Sequence, residues 1–277
     1  MLYLLFTIDG DWKNYFNRQL SEKERAPSQC LMLNFIGQEI EMAQRNLEGK
    51  FIHFIHTSPR ARDFFLKKPF ITLWQEIIKG GGDIGIHCHE EDPYLEYYFQ
   101  DGSRMEKVIK EQADKLRGQG LKVRAYRGGF LTFSKGLIPI LERNNLCFDF
   151  SCEPERYLIH NRQVVSDWRD SPTSLYQMSY DDYKRAGDSG VFEIPIGALK
   201  GKYLYFEKSD LKELEEIVFG FKEMSEKNAR DIIVSVLTHS YEYASSDEIK
   251  TIEEKISLLK KYGQFINLGE LSELIQG

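Results

Sequence analysis

The sequence predicts an α/β fold, a (β/α) barrel of seven to eight parallel strands, on three observations. Short continuous apolar runs, the mark of strands covered on both faces, alternate seven or eight times with stretches of helical spacing. No Gly-x-Gly-x-x-Gly follows the first run, so a dinucleotide-binding open sheet lacks its main support. Reactive residues fall at or just beyond the C-terminal ends of five expected strands, the face on which barrels build active sites.

Leu2 to Ile8 is the first run, and it delivers Asp9 and Asp11. Ser28 to Leu47 places Leu33, Ile36, Ile40, Ala43 and Leu47 at helical spacing and stops at Gly49. Phe51 to His56 is the second strand, and Pro69 to Lys79 is a helix ended by Gly80, Gly81 and Gly82. The run from Asp83 into His87 is the third strand, followed by a helix over Ser103 to Leu116. Lys122 to Tyr126 is the fourth strand, with Arg127-Gly128-Gly129-Phe130 at its end. Ser134 to Arg143 reads as a helix kinked by Pro139, and Cys147 to Phe150 as strand five. Glu153 to Gly190 shows no period; Trp168 and its tyrosines mark it as an ordered cover. Val191 to Ile196 is strand six, and Ser209 is the expected N-cap of a helix burying Leu211, Leu214, Val218 and Phe221. Asp231 to Leu237, strand seven, leads to Thr238-His239-Ser240. Ser245 and Glu248 have capping-box spacing ahead of a helix that runs to Gly263, and Phe265 to Leu268 is a short eighth strand.

A chain of 277 residues with 42% hydrophobic content can build one large domain over 1–277, burying about 75% of its unfolded surface. Its 37 basic and 43 acidic residues are interspersed, without a basic stripe, so no nucleic-acid partner is expected. No stretch approaches the ~20 apolar residues of a membrane span, and Met1 to Ile8 is too short for a signal peptide. Cys30, Cys88, Cys147 and Cys152 have no CxxC spacing and make no disulfide framework, which fits a cytoplasmic location.

His87 and His89, two apart on an extended chain, point to one side and can converge on an ion, while Cys88 faces away as a small buried hydrophobe. Zinc or another borderline divalent metal suits that pair, and Glu90, Glu91 and Asp92 either tune the coordination or form a solvated loop. An aspartate with two histidines leaves positions open for water and substrate, as in hydrolytic sites. Such a site needs a base, an acid and charge for the oxyanion. Asp11 is assigned as the third ligand, Asp9 as the base and His239 as the acid; Arg127 could hold Asp9 or bind substrate. His53 and His56, three apart, point to opposite sides of their strand and are assigned to packing.

These residues resemble the polysaccharide deacetylase family, metal-dependent enzymes with a distorted barrel that remove acetyl groups from N-acetylated sugars. Thr7-Ile8-Asp9-Gly10-Asp11 is similar to its first motif, implying Asp9 as base and Asp11 as ligand. Asp83-Ile84-Gly85-Ile86-His87 resembles the approach to the second, and Tyr126-Arg127-Gly128-Gly129-Phe130 the third, whose arginine contacts the catalytic aspartate. Phe148-Asp149-Phe150-Ser151 resembles the fourth, Leu237-Thr238-His239 the fifth with its acid histidine, and Phe192-Glu193-Ile194-Pro195 a further family signature. The second motif departs from the family, which spaces its histidines four apart, where this chain has Glu91. His87-Cys88-His89 with Pro93 is closer to a divergent His-x-His subset, which leaves His89, Glu91 or Asp92 as the remaining ligand. Asp149 and Trp168 are candidate substrate contacts.

The expected activity is metal-dependent hydrolysis of a non-peptide C–N bond, N-deacetylation of a saccharide or sugar precursor. A small or cyclic amide on the same barrel is the alternative substrate. A degenerate barrel that binds carbohydrate without turnover is the non-enzymatic one. An open groove under the cover would favour glycans, a closed pocket small amides.

Overall fold

A computed structural model describes residues 1–17, 19–91, 97–160 and 162–276; Asp92 and Pro93 lie outside the described residues. In chain order the strands begin with β1 (Leu2–Asp9), β2 (Ile52–His56), β3 (Asp83–Cys88), β4 (Val123–Gly128) and β5 (Phe148–Asp149). They continue with the hairpin β6 (Tyr157–His160) and β7 (Gln163–Asp167), then β8 (Tyr176–Gln177) and β9 (Phe192–Glu193). The hairpin β10 (Ala198–Leu199) and β11 (Lys202–Tyr203), β12 (Ile232–His239) and β13 (Gln264–Phe265) complete the set. Neighbours in the order β12-β1-β2-β3-β4-β5-β9 are parallel, β13 pairs parallel with β1, and β8 is antiparallel to β9. Past β9, Ile196 bridges in parallel to Ser235 of β12 and brings the ends of the sheet together. The expected barrel is present as a curled, mostly parallel α/β half-barrel.

Side-chain alternation decides what each strand carries to its end. Along β1, Leu4, Phe6 and Ile8 pack outward under the helices, while Leu5 faces inward. Thr7 and Asp9 therefore share Leu5's inner face, and by the same parity Ile52 and Phe54 precede His56, and Ala125 precedes Arg127. The inner apolar layer is plugged at the strands' N-terminal end by α8 (Leu268–Gln276), whose Leu268 and Leu271 enter it. Asn267 caps this helix in a box with Glu270, and Leu268 N donates to Asp83 Oδ2 at 2.9 Å, tying the helix to β3. At the other end register sets His56 beside His87 and His87 beside Arg127, and places Asp9 beside His239.

The outer layer contains α2 (Gln29–Leu47), α3 (Lys68–Lys79), α4 (Gly102–Gly118), α5 (Leu137–Arg143), α6 (Leu211–Asn228) and α7 (Ser246–Leu259); a short α1 (Glu22–Arg25) precedes them. Ser245 caps α7 as expected, and Ser28 caps α2. Four readings change. Pro139 lies in the first turn of α5, where an amide N–H has no partner to lose, so no kink is needed. Asp210 caps α6 in a capping box with Glu213, while Ser209 Oγ donates to Tyr203 O. The cover contains the β6–β7 hairpin and β8, and the chain ends in helix α8 in place of an extended Ile266 to Leu268. Among the described residues no helix is long and apolar enough to cross a membrane.

Candidate metal centre and active site

Asp9 and Arg127 close the inner face of β1 and β4. Arg127 Nη1 donates to Asp9 Oδ1 at 2.6 Å, Nη2 to Thr7 Oγ1 at 3.0 Å and Nε to Phe150 O at 2.8 Å. Its guanidinium lies over the Phe54 ring, 4.4 Å from the centroid. Burial alone would raise the Asp9 pKa, but Arg127, His87 and His239 outweigh it and hold the carboxyl below its usual range. Asp9 is therefore an anion at neutral pH with Oδ1 committed to Arg127, and its Oδ2 stands 3.6 Å from His87 Nε2. Asp11 N donates back to Asp9 O at 2.7 Å, a tight turn through Gly10. A Cβ at Gly10 would lie 2.9 Å from both His53 Nε2 and Phe54 O, so only glycine fits.

Asp11, His56, His87 and His89 form a buried group whose donor atoms all lie within 4.8 Å of one another. His87 Nδ1 stands 3.3 Å from Arg127 O, and His89 Nδ1 2.9 Å from Glu91 Oε1. A carbonyl and a carboxylate only accept, so both Nδ1 atoms carry the hydrogen and both Nε2 atoms carry the lone pair. Those Nε2 atoms are 2.9 Å apart, and Asp11 Oδ2 completes the triangle at 3.7 and 3.8 Å. Facing lone pairs beside a carboxylate demand a cation. Zinc with bonds of about 2.0–2.1 Å separates tetrahedral ligands by roughly 3.3–3.4 Å, a spacing these three distances bracket. The residues present fit a divalent metal. Burial would lower the His89 pKa, but Glu91 and Asp11 raise it, so this corner attracts positive charge. Burial would raise the Asp11 pKa, yet His87, His89 and His56 hold it well below the usual range.

The loop that carries His89 is held from both sides. Glu91 also accepts from Tyr15 Oη, and Glu90 is buried between Arg62 and Arg104. Gly129, at the end of β4, lies against the His89 ring, where a Cβ would approach to 2.5 Å. Phe130 and Leu131 follow at φ 54° and 58°, a left-handed turn costing roughly 1–2 kcal/mol per residue. It aims Phe130 at His89, with ring centroids 5.2 Å apart.

His239, at the end of β12, puts Nε2 3.9 Å from Asp11 Oδ2. Glu207 Oε1 lies 3.2 Å from His239 Nδ1 and accepts from its backbone N at 2.7 Å and from Thr238 Oγ1 at 2.8 Å. Burial would lower the His239 pKa, but Glu207, Asp9 and Asp11 push it up to about 9. The ring is a protonated donor at neutral pH, stacked on Tyr241 at 5.0 Å.

A cleft of about 190 Å³ opens over Asp9, Asp11, His87, His89 and His239. Phe16, Phe130, Tyr205 and Tyr241 form aromatic walls, and Glu153, Arg156 and Lys208 also line it. Arg127 does not line it; its guanidinium is spent on Asp9, Thr7 and Phe150 behind the site. Two expectations are corrected. Asp149 is wholly buried on β5, accepting from Ser151 Oγ at 2.7 Å and lying beside Glu193, so it has no surface to offer substrate. Trp168 is equally buried; its Nε1 donates to Leu131 O at 2.9 Å and its ring packs on Phe133 and Tyr183. His56 is a third correction: opposite sides of β2 is right, but its side is the site, while His53 turns outward to Glu39 at 2.7 Å. The signal for His56 was its place at a strand end, the same one that marks His87. Glu207 left no local signal, since its loop has no motif.

No protein-family model matches the chain, and no curated protein matches it by sequence. Solved structures do. A protein described as a polysaccharide deacetylase from Mycobacterium smegmatis is 11% identical with a TM-score of 0.65, over 99% of this chain and 90% of its own. Another so described, from Pseudomonas aeruginosa PAO1, is 10% identical with a TM-score of 0.60, over 98% and 90%. An allantoinase is 11% identical with a TM-score of 0.59, over 98% and 89%. The chain thus has the fold seen in polysaccharide deacetylases, and its chemistry has to come from its own site.

Proposed function

We propose that residues 1–277 form a metal-dependent hydrolase of non-peptide C–N bonds that removes the acetyl group from an N-acetylated sugar or sugar precursor. The observation that carries the reading is the triangle of His87 Nε2, His89 Nε2 and Asp11 Oδ2, with Asp9 and His239 at its edges. Asp11, His87 and His89 would hold a divalent ion, zinc by its donor set, which would supply Lewis acidity at the site. Asp9 Oδ2 is the base that takes the proton of the attacking water, since Arg127 keeps the carboxylate charged and turned. His239, held by Glu207, delivers a proton to the departing nitrogen. Phe16, Phe130, Tyr205 and Tyr241 offer the sugar ring stacking surfaces and exclude water.

The 190 Å³ of the cleft favours a second reading, a small or cyclic amide. The allantoinase fold neighbour supports it as well. The test loads the protein with zinc and follows acetate release from N-acetylglucosamine and its oligomers beside ring opening of small cyclic amides. Acetate release supports the first reading, and ring opening alone replaces it with the second.

A further inference from the structure

We propose that His56 is a positioning residue of the metal centre, holding Asp11 by one oxygen so that only the other faces His87 and His89. The inference rests on the metal-centre reading above. His56 Nδ1 lies 2.7 Å from Asp11 Oδ1, and both side chains are buried. A carboxylate cannot donate here, so the hydrogen is on His56 Nδ1 and the bond fixes both the imidazole tautomer and the carboxylate plane. Oδ1 is occupied by this bond, and Oδ2 points to the two Nε2 atoms.

Ring orientation separates positioning from ligation. The His56 and His89 rings are stacked, 4.7 Å between centroids and 14° between planes. Lone pairs of an imidazole lie in the ring plane, so those of two stacked rings run side by side and do not meet at one ion. His87, in contrast, stands at 88° to His89, and their Nε2 atoms do converge. The His56 ring is held by Trp12 and Tyr15, with centroids 4.8 and 4.5 Å away. Tyr15 also donates to Glu91, the partner of His89, so one wall orients two of the three ligands. Freed from His56, Asp11 could offer both oxygens to the ion, filling a position the substrate needs.

The experiment uses the full chain stripped of metal, titrated with Zn²⁺ against a chromophoric chelator and then with Co²⁺ followed by visible absorption. His56→Leu removes the donor; His56→Asn restores an N–H near the Nδ1 position; His56→Gln, reaching toward Nε2, replaces the leucine variant if that one does not fold. The expected result is zinc binding about 10- to 100-fold weaker in His56→Leu or His56→Gln and largely restored in His56→Asn. Weaker Co²⁺ bands should accompany the loss as the coordination number rises. Unchanged zinc affinity and Co²⁺ spectrum in the leucine variant overturn the proposal. Complete metal loss that asparagine does not restore also overturns it, making His56 a ligand. A wild-type chain that binds neither ion removes the metal-centre reading itself, a different result from a wild type that binds and a variant that matches it.

Discussion

Arg127 Nη1 sits 2.6 Å from Asp9 Oδ1 with both side chains buried, and the other guanidinium arms are taken by Thr7 and Phe150. The arginine thereby leaves Asp9 one free oxygen for a proton. Asp9→Asn should lower turnover by about 10²- to 10⁴-fold with metal content unchanged, read by steady-state kinetics beside elemental analysis. Loss of metal with activity would make Asp9 a ligand instead.

The same pair is a stability element. Arg127→Met strands a buried carboxylate and should cost about 3–5 kcal/mol in urea unfolding at pH 7. Because the Asp9 pKa is depressed, its contribution is complete above pH ~4 and lost as pH falls through the lower folded value. The variant should thus lose part of the wild type's acid sensitivity.

Glu207 governs the proton on His239. Glu207→Gln should lower the His239 pKa from about 9 and pull the alkaline limb of kcat/KM to lower pH. The raised pKa also stabilises the fold: the effect is full below about pH 6.5 and disappears as pH rises through about 9. A limb that does not move in the glutamine variant would remove Glu207 from this role.

Glu91 holds His89 without belonging to the donor triangle. Glu91→Gln should keep the metal but bind it about 10- to 100-fold more weakly, measured by chelator competition. Wild-type affinity in that variant would mean that Tyr15 and Phe130 orient His89 unaided.

Asp149 and Glu193 are buried cross-strand neighbours on β5 and β9. Burial and the Asp149 charge push Glu193 well above the carboxylate range, and burial raises Asp149. The folded state therefore keeps a proton that the unfolded chain releases, so the pair lowers stability as pH rises from about 4. Glu193→Gln should flatten that slope in unfolding titrations, and an unchanged slope would contradict a raised Glu193 pKa.

Much of this was legible in residue order. β1 to β4, β12 and α2 to α4 announce themselves by uninterrupted apolar runs or helical spacing, and Asp9, Asp11, His87, His89 and His239 by standing where such runs stop. Glu207 was not legible, because its partner is 32 residues away and nothing in its loop has a period. The start of α8 carries a local signal, the capping-box spacing of Asn267 and Glu270, but the apolar run Phe265 to Leu268 that leads into it looked like strand. Asp149 and Trp168 carried the right chemistry at the right distance along the chain, but sequence does not tell a strand-end residue aimed at the cleft from one buried away from it.

Metal content is the most direct test of the central claim. Elemental analysis of the zinc-reconstituted protein beside His87→Ala and His89→Ala should give about one equivalent of metal in the wild type and little in either variant. A wild type that takes up no metal, or a His89→Ala variant that keeps it in full, would contradict the account.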